Sequence, residues 1–136
     1  MVDLEGGVLG GSGTIAANVQ NAAEIDIGSA DAAGMLTISG DYTQTSTGVL
    51  SLKIGGYNAG TDFDQLNVTG TATLDGTINI SLLNGFMPAP GDGFQILTFG
   101  AVTGDFATYN GLDLGGGLSF APVYDSDSLT LMVMAS

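Results

Sequence analysis

Two pairs of aspartates, each spaced one residue apart, are the first groups able to do chemistry in this 136-residue chain. Asp62 and Asp64 flank Phe63, and Asp125 and Asp127 flank Ser126. In an extended backbone residues i and i+2 point to one side, so each pair presents its carboxylates together. Such a pair offers oxygens to Ca²⁺ when backbone carbonyls join it, or an acid and a base to a glycan. The plainer reading is an Asx-turn, with Asp62 and Asp64 leading into a strand anchored by Phe63 and Leu66. Calcium takes about six to eight oxygens, and no further carboxylate is close in sequence, which favours the turn.

The rest of the inventory narrows the chemistry sharply. Lys53 is the only basic residue against 14 acidic ones, for a net charge of −13, and His, Cys, Arg and Trp are absent. Ser-His-Asp triads, Cys nucleophiles and zinc sites are therefore excluded. One Lys without Arg clamps no phosphate and follows no nucleic-acid backbone. Lys53 alternates with Leu52 and Ile54, which places it on the solvent side of a strand. A glycan lyase would need it as its base, and no Trp stacks a sugar, so no catalytic residue is assigned. No cofactor is expected either, calcium at Asp62 and Asp64 being the one metal considered.

Other motifs read as structure. Gly6-Gly-Val-Leu-Gly10-Gly-Ser-Gly13-Thr-Ile15 has the glycine density of a phosphate loop or a calcium roll. It lacks the Gly-Lys-Ser/Thr of the first and the Asp of the second, leaving turns at a frayed start. Met-Val-Asp-Leu-Glu-Gly-Gly at the start reads like an excised piece carrying a new Met. Asn67-Val-Thr69 and Asn79-Ile-Ser81 fit the glycosylation pattern but fall inside expected strands. Thr69, Thr71, Thr73 and Thr77 make a row of exposed strand residues.

These groups need elements to hold them, and the dominant period is two. Leu36-Thr-Ile38, Leu50-Ser-Leu52-Lys-Ile54, Leu66-Asn-Val68, Ile78-Asn-Ile80-Ser-Leu82 and Leu129-Thr-Leu131-Met-Val133 alternate apolar with mostly polar residues. Each predicts a short strand with one face in a core. The 23 glycines punctuate these runs, and no helical period with a capping box occurs. Leu, Ile, Val and Phe make up about 27% of the chain, above the roughly 20% below which a core is hard to build. The class is all-β. No apolar stretch approaches a membrane span, and no signal peptide is evident, so no membrane insertion is expected.

An internal repeat organises the strands. Leu36-Thr-Ile38-Ser-Gly40 matches Leu66-Asn-Val68-Thr-Gly70 at an offset of 30, and Leu50 to Ile54 matches Ile78 to Leu82 at an offset of 28. Residues 13–15 with 24–28 form a degenerate earlier copy, and Phe94-Gln-Ile96 with Leu112-Asp-Leu114 a later one. Recurring units that each bury one face are what a β-solenoid needs. The alternative is an antiparallel β-sandwich, since Asp75-Gly76 between alternating strands is a hairpin signal. Residues 1–136 form a single domain, with solenoid coils over 1–85 and an aromatic-rich capping region over 86–136. The nearly uncharged Leu129–Met134 run is the plainest aggregation hazard.

The order of these motifs resembles bacterial autotransporter-type adhesins. Gly40-Asp-Tyr42-Thr-Gln-Thr-Ser-Thr-Gly48-Val-Leu50-Ser-Leu52 is similar to their "G-x-Y-x-Q…G-x-L-x-L" segment. Asp62-Phe-Asp64-Gln-Leu66-Asn-Val68-Thr-Gly70-Thr-Ala72-Thr-Leu74-Asp-Gly76-Thr-Ile78 resembles "D-x-L-x-V-x-G-x-A-x-L-x-G-x-L". Gly91-Asp-Gly-Phe94-Gln-Ile96-Leu and Val102-Thr-Gly104-Asp-Phe106 resemble the next two landmarks, so the likeness spans roughly residues 35–133. It implies the C-terminal end of a short right-handed parallel β-helix, which this stretch caps and whose folding it seeds during export. The family's outer-membrane barrel and many upstream coils are not in these residues, as in a fragment or a relative secreted by another route.

The expectation is a non-catalytic structural module of an extracellular or bacterial cell-surface protein. Its partners would be upstream β-helix coils of the same or a neighbouring chain, with no nucleic acid. Leu36, Ile38, Leu50, Leu52, Leu66, Val68, Ile78, Ile80 and Ile96 should form its core, and Gly40, Gly48, Gly70 and Gly76 its corners. One alternative is an adhesin fragment that binds glycan or protein through exposed loops, with or without calcium. Another is a fibre subunit, a homo-oligomer stacking end to end by strand pairing.

Overall fold

The computed structural model describes residues 2–28, 33–83 and 85–135, which form seventeen β-strands and no helix. The chain visits three sheets in rotation. The first sheet holds β1 (Val2–Leu4), β4 (Val19–Asn21), β7 (Tyr42–Gln44), β10 (Thr71–Leu74) and β13 (Ala101–Gly104). The second holds β2 (Val8–Gly11), β5 (Glu24–Ile27), β8 (Val49–Ile54), β11 (Thr77–Leu82) and β14 (Thr108–Asn110). The third holds β3 (Gly13–Ile15), β6 (Met35–Ile38), β9 (Gln65–Val68) and β12 (Gly93–Thr98). It then continues through β17 (Ser128–Ala135), β16 (Leu118–Tyr124) and β15 (Asp113–Gly115).

Every pairing among β1 to β14 is parallel, whereas β12–β17, β17–β16 and β16–β15 are antiparallel. Stacked parallel sheets of this kind are consistent with a β-solenoid. They leave no room for an antiparallel sandwich. Asp75-Gly76 turns a corner between β10 and β11, which lie in different sheets. Local hairpin chemistry yields here because both strands already pair with the rungs above and below.

The sequence repeat is the rung itself. Leu36 pairs with Leu66 and Ile38 with Val68, while Leu50 pairs with Ile78 and Leu52 with Ile80. The earlier copy also falls in register, with Ile15 opposite Ile38 and Ile25 opposite Leu50. The later copy does not. Leu97, not Phe94 or Ile96, stands opposite Leu66, and Leu112 and Leu114 belong to the antiparallel meander. Parallel rungs run past residue 85 through β13 and β14, and the antiparallel strands begin at Asp113 and not at 86. The Pro- and Gly-rich residues 85–92 lie in a corner loop, which a rung accommodates without ending.

The nine proposed core residues are all buried. In the second sheet Leu9, Ile25, Leu50, Ile78 and Tyr109 form one inward column. Close approach at the corners accounts for several glycines. A Cβ on Gly48 would lie 2.3 Å from the Asn21 carbonyl oxygen, and one on Gly76 2.3 Å from the Gly48 oxygen. Gly76 also holds φ at +66°, a conformation glycine adopts freely. A Cβ on Gly40 or Gly70 would come within 2.8 Å of a backbone oxygen of the preceding rung.

Two expectations drawn from composition alone give way to pairing. The glycine-rich start is not a frayed run of turns, since β2 and β3 form on the ladder that β5 and β6 offer. Residues 129–134 are not an open edge either, because β17 pairs on one side with β12 and on the other with β16. That strand is closed to addition, which is how a sheet protects an apolar strand.

Candidate functional site

The two acidic pairs meet different fates. Asp64 is 0% exposed, and its carboxylate accepts from Gly34 N at 2.7 Å and Lys53 N at 2.8 Å. Lys53 Nζ lies 3.0 Å from Asp64 Oδ2 and 2.9 Å from Asp26 Oδ1, and donates to the Ile27 carbonyl at 2.6 Å. Asp62 turns away, its Oδ2 accepting from the backbone and side-chain nitrogens of Asn58. The carboxylates therefore do not share a calcium site, because the turn over 58–62 breaks the extended geometry that would align them. Asp125 and Asp127 occupy the exposed turn between β16 and β17, where Asp125 N bonds the Ser128 carbonyl. Among the described residues no three acidic groups converge on a metal position.

Lys53 sits on the outer side of its strand, as alternation requires, yet it is only 8% exposed rather than facing solvent. The loop over 55–64 folds across it and brings Asp64 to its amine. Burial opposes the Lys53 charge, but hydrogen bonds and charges of Asp26 and Asp64 outweigh it and raise the pKa above 10.5. Burial raises the Asp64 carboxyl as well, against the donors that favour its charge. The triad ties two successive rungs and one loop together.

A second polar group lies inside the core. Asn21 Nδ2 donates to Tyr42 Oη at 3.0 Å, and Tyr42 in turn donates to Gln44 Oε1 at 2.6 Å. Gln44 Nε2 reaches the Asp75 and Thr77 carbonyls at 2.8 and 3.0 Å, fixing the corner of the next rung. Burial pushes the Tyr42 hydroxyl well above its ordinary pKa, the Asn21 bond only partly opposing it. Every buried side-chain polar atom described finds a partner, as a stable interior demands.

At the closing end, Asp105 Oδ1 accepts from both the Tyr109 and the Tyr124 hydroxyls, which lie 3.1 Å from each other. Burial and then Asp105 raise the pKa of both tyrosines. This cluster latches β16 to the last parallel rung. Asn67 and Asn79 are likewise engaged, with Thr98 Oγ1 and Asn110 Nδ2 respectively, in ladders between rungs.

The most open arrangement is a corner that sequence reasoning passed over. The connection from β8 to β9 and that from β11 to β12 both leave the second sheet for the third. Tyr57 on the first loop donates to Asp92 Oδ2 on the second at 2.9 Å and stacks on Phe94. Tyr57 and Met87 are 59% and 55% exposed. The available signal was the lapse of period two over residues 55–64, between two strongly alternating strands. No family model matches the chain, and no curated protein matches it.

Proposed function

We propose that the chain is a short right-handed parallel β-helix serving as the capping and fold-nucleating end of an extracellular bacterial surface protein. The observation that carries this reading is the asymmetry of the stack. Among the described residues β1, β2 and β3 each pair on one side only; at the far end β13 and β14 do so too, but there the third sheet goes on through the antiparallel β17, β16 and β15. An edge of that kind takes a further parallel rung, from upstream coils of this or a neighbouring chain. The ordered motifs shared with autotransporter-type adhesins support the same role and a cell-surface setting. Function here is mechanical and kinetic, and no residue is given a catalytic part.

The test is a chain ending at Gly111, which lacks the meander. Its unfolding in urea should lose the cooperative transition of the full chain, with dye-binding apolar surface exposed. An unchanged midpoint and slope would remove the cap from the account. A binding role through loops has its own support in the Tyr57 corner, where exposed aromatic and acidic groups gather on two loops held by rigid sheets.

A further inference from the structure

Tyr57 is an exposed aromatic ring that cannot move freely. Its centroid is 5.8 Å from Phe94 at an interplanar angle of 17°, and 5.3 Å from Phe86 at 85°. Phe86 and Phe94 are 6.0 Å apart. Phe94 stacks on Tyr57 and Phe86 meets it edge to face, while Tyr57 keeps 59% of its surface exposed. The hydroxyl bond to Asp92 fixes the ring's direction, and Asp92 Oδ2 is itself held by Ala89 N at 2.8 Å.

The charged groups around this ring have one sign. Asp92 touches the hydroxyl, and the Asp62 carboxylate lies beside Gly56, within 2.7 Å of where its Cβ would be. The one basic side chain in the sequence is Lys53, and Asp26, Asp64 and Ile27 consume it. A ring face is electrostatically negative and attracts cations, most strongly guanidinium. An anionic ligand would meet carboxylates and a net charge of −13. Exposed Met87 supplies apolar surface for the stem of a long basic side chain. Because the ring is already ordered, binding loses little conformational freedom at the site.

We propose that the Tyr57 corner is a docking site for an Arg- or Lys-bearing segment of a partner protein, the cation lying on the exposed part of the Tyr57 ring beside Asp92. This site is independent of the capping role, since both loops join the second sheet to the third and neither belongs to β15, β16 or β17. The probe is a blocked Gly-Arg-Gly-Arg-Gly peptide titrated into the full chain at low salt and followed by proton NMR. Two controls accompany it, the same peptide with citrulline for arginine and the neutral oligosaccharide maltotetraose. The expected result is saturable binding with an upfield ring-current shift of the arginine δ-methylene protons. The citrulline peptide should not bind. Tyr57→Leu should abolish the shift and weaken affinity about threefold or more, with its circular dichroism unchanged. If Tyr57→Leu does not fold, Asp92→Asn, which keeps the ring, should still weaken the arginine peptide alone. Equal affinity in both variants would mean diffuse attraction to an acidic surface and overturn the proposal. Binding of citrulline peptide or maltotetraose at similar strength would overturn it in favour of a neutral ligand, and no binding would overturn it outright.

Discussion

The two ends of the stack finish in different ways, the first with three parallel strands and the last with two. At the start, Val2, Leu4, Leu9 and Ile15 repeat the inward positions of Val19, Asn21, Ile25 and Ile38 but stay half-buried. At the close, the third sheet reverses direction through β17, β16 and β15, burying Phe120, Leu129 and Leu131. Tyr124 then reaches back to Asp105 and Tyr109 on the last rung. Parallel stacking extends a core indefinitely but cannot end one. Ending it takes strands of opposite direction and large aromatic side chains.

The largest expected effect lies in the middle of the stack. Lys53→Met leaves Asp64 buried without its cation and frees the loop over 55–64, at a cost of about 3–5 kcal/mol. Urea unfolding checks this, and a fall under about 1 kcal/mol would show the triad to be dispensable. Next comes the inward column of the second sheet. Leu50→Ala should cost about 2–5 kcal/mol, whereas Leu9→Ala, at the open end of that column, should cost about 1 kcal/mol or less. Equal losses would mean that the first rung is as well packed as the third.

Alkaline titration sharpens the comparison with a smaller effect. Tyr42, Tyr109, Tyr124 and Lys53 all have raised pKa values, so the folded chain keeps protons that the unfolded chain releases. Their stabilising contribution is complete below about pH 10 and is lost as pH rises through the folded values. Melting temperature should fall above that pH. In Tyr124→Phe the fall should be shallower, because one of the latch protons is gone.

Much of this architecture was legible in the sequence, because the interior repeats at every rung. Alternation at Leu36, Ile38, Leu66 and Val68 reports both the inward face and the pairing partner, since the offset of 30 is the structural register. Lys53 shows the limit of that logic. Its parity gives the face correctly, but whether that face meets water depends on a loop that returns across it. The point where parallel pairing ends was hidden for a related reason, since a Pro-Gly loop at a corner has the same composition as a loop between domains. The Tyr57 corner escaped notice because one aromatic in a loop has no period to mark it.

Amide hydrogen exchange on the intact chain tests the central claim most directly. If the closed end is the stable seed, amides of β9, β11, β12 and β17 should exchange only through global unfolding. Those of β1, β2 and β3 should exchange faster, through local fraying at the open end. Uniform protection from β1 to β17 would contradict the account, because an end lacking a neighbouring rung would then be as stable as the one the meander closes.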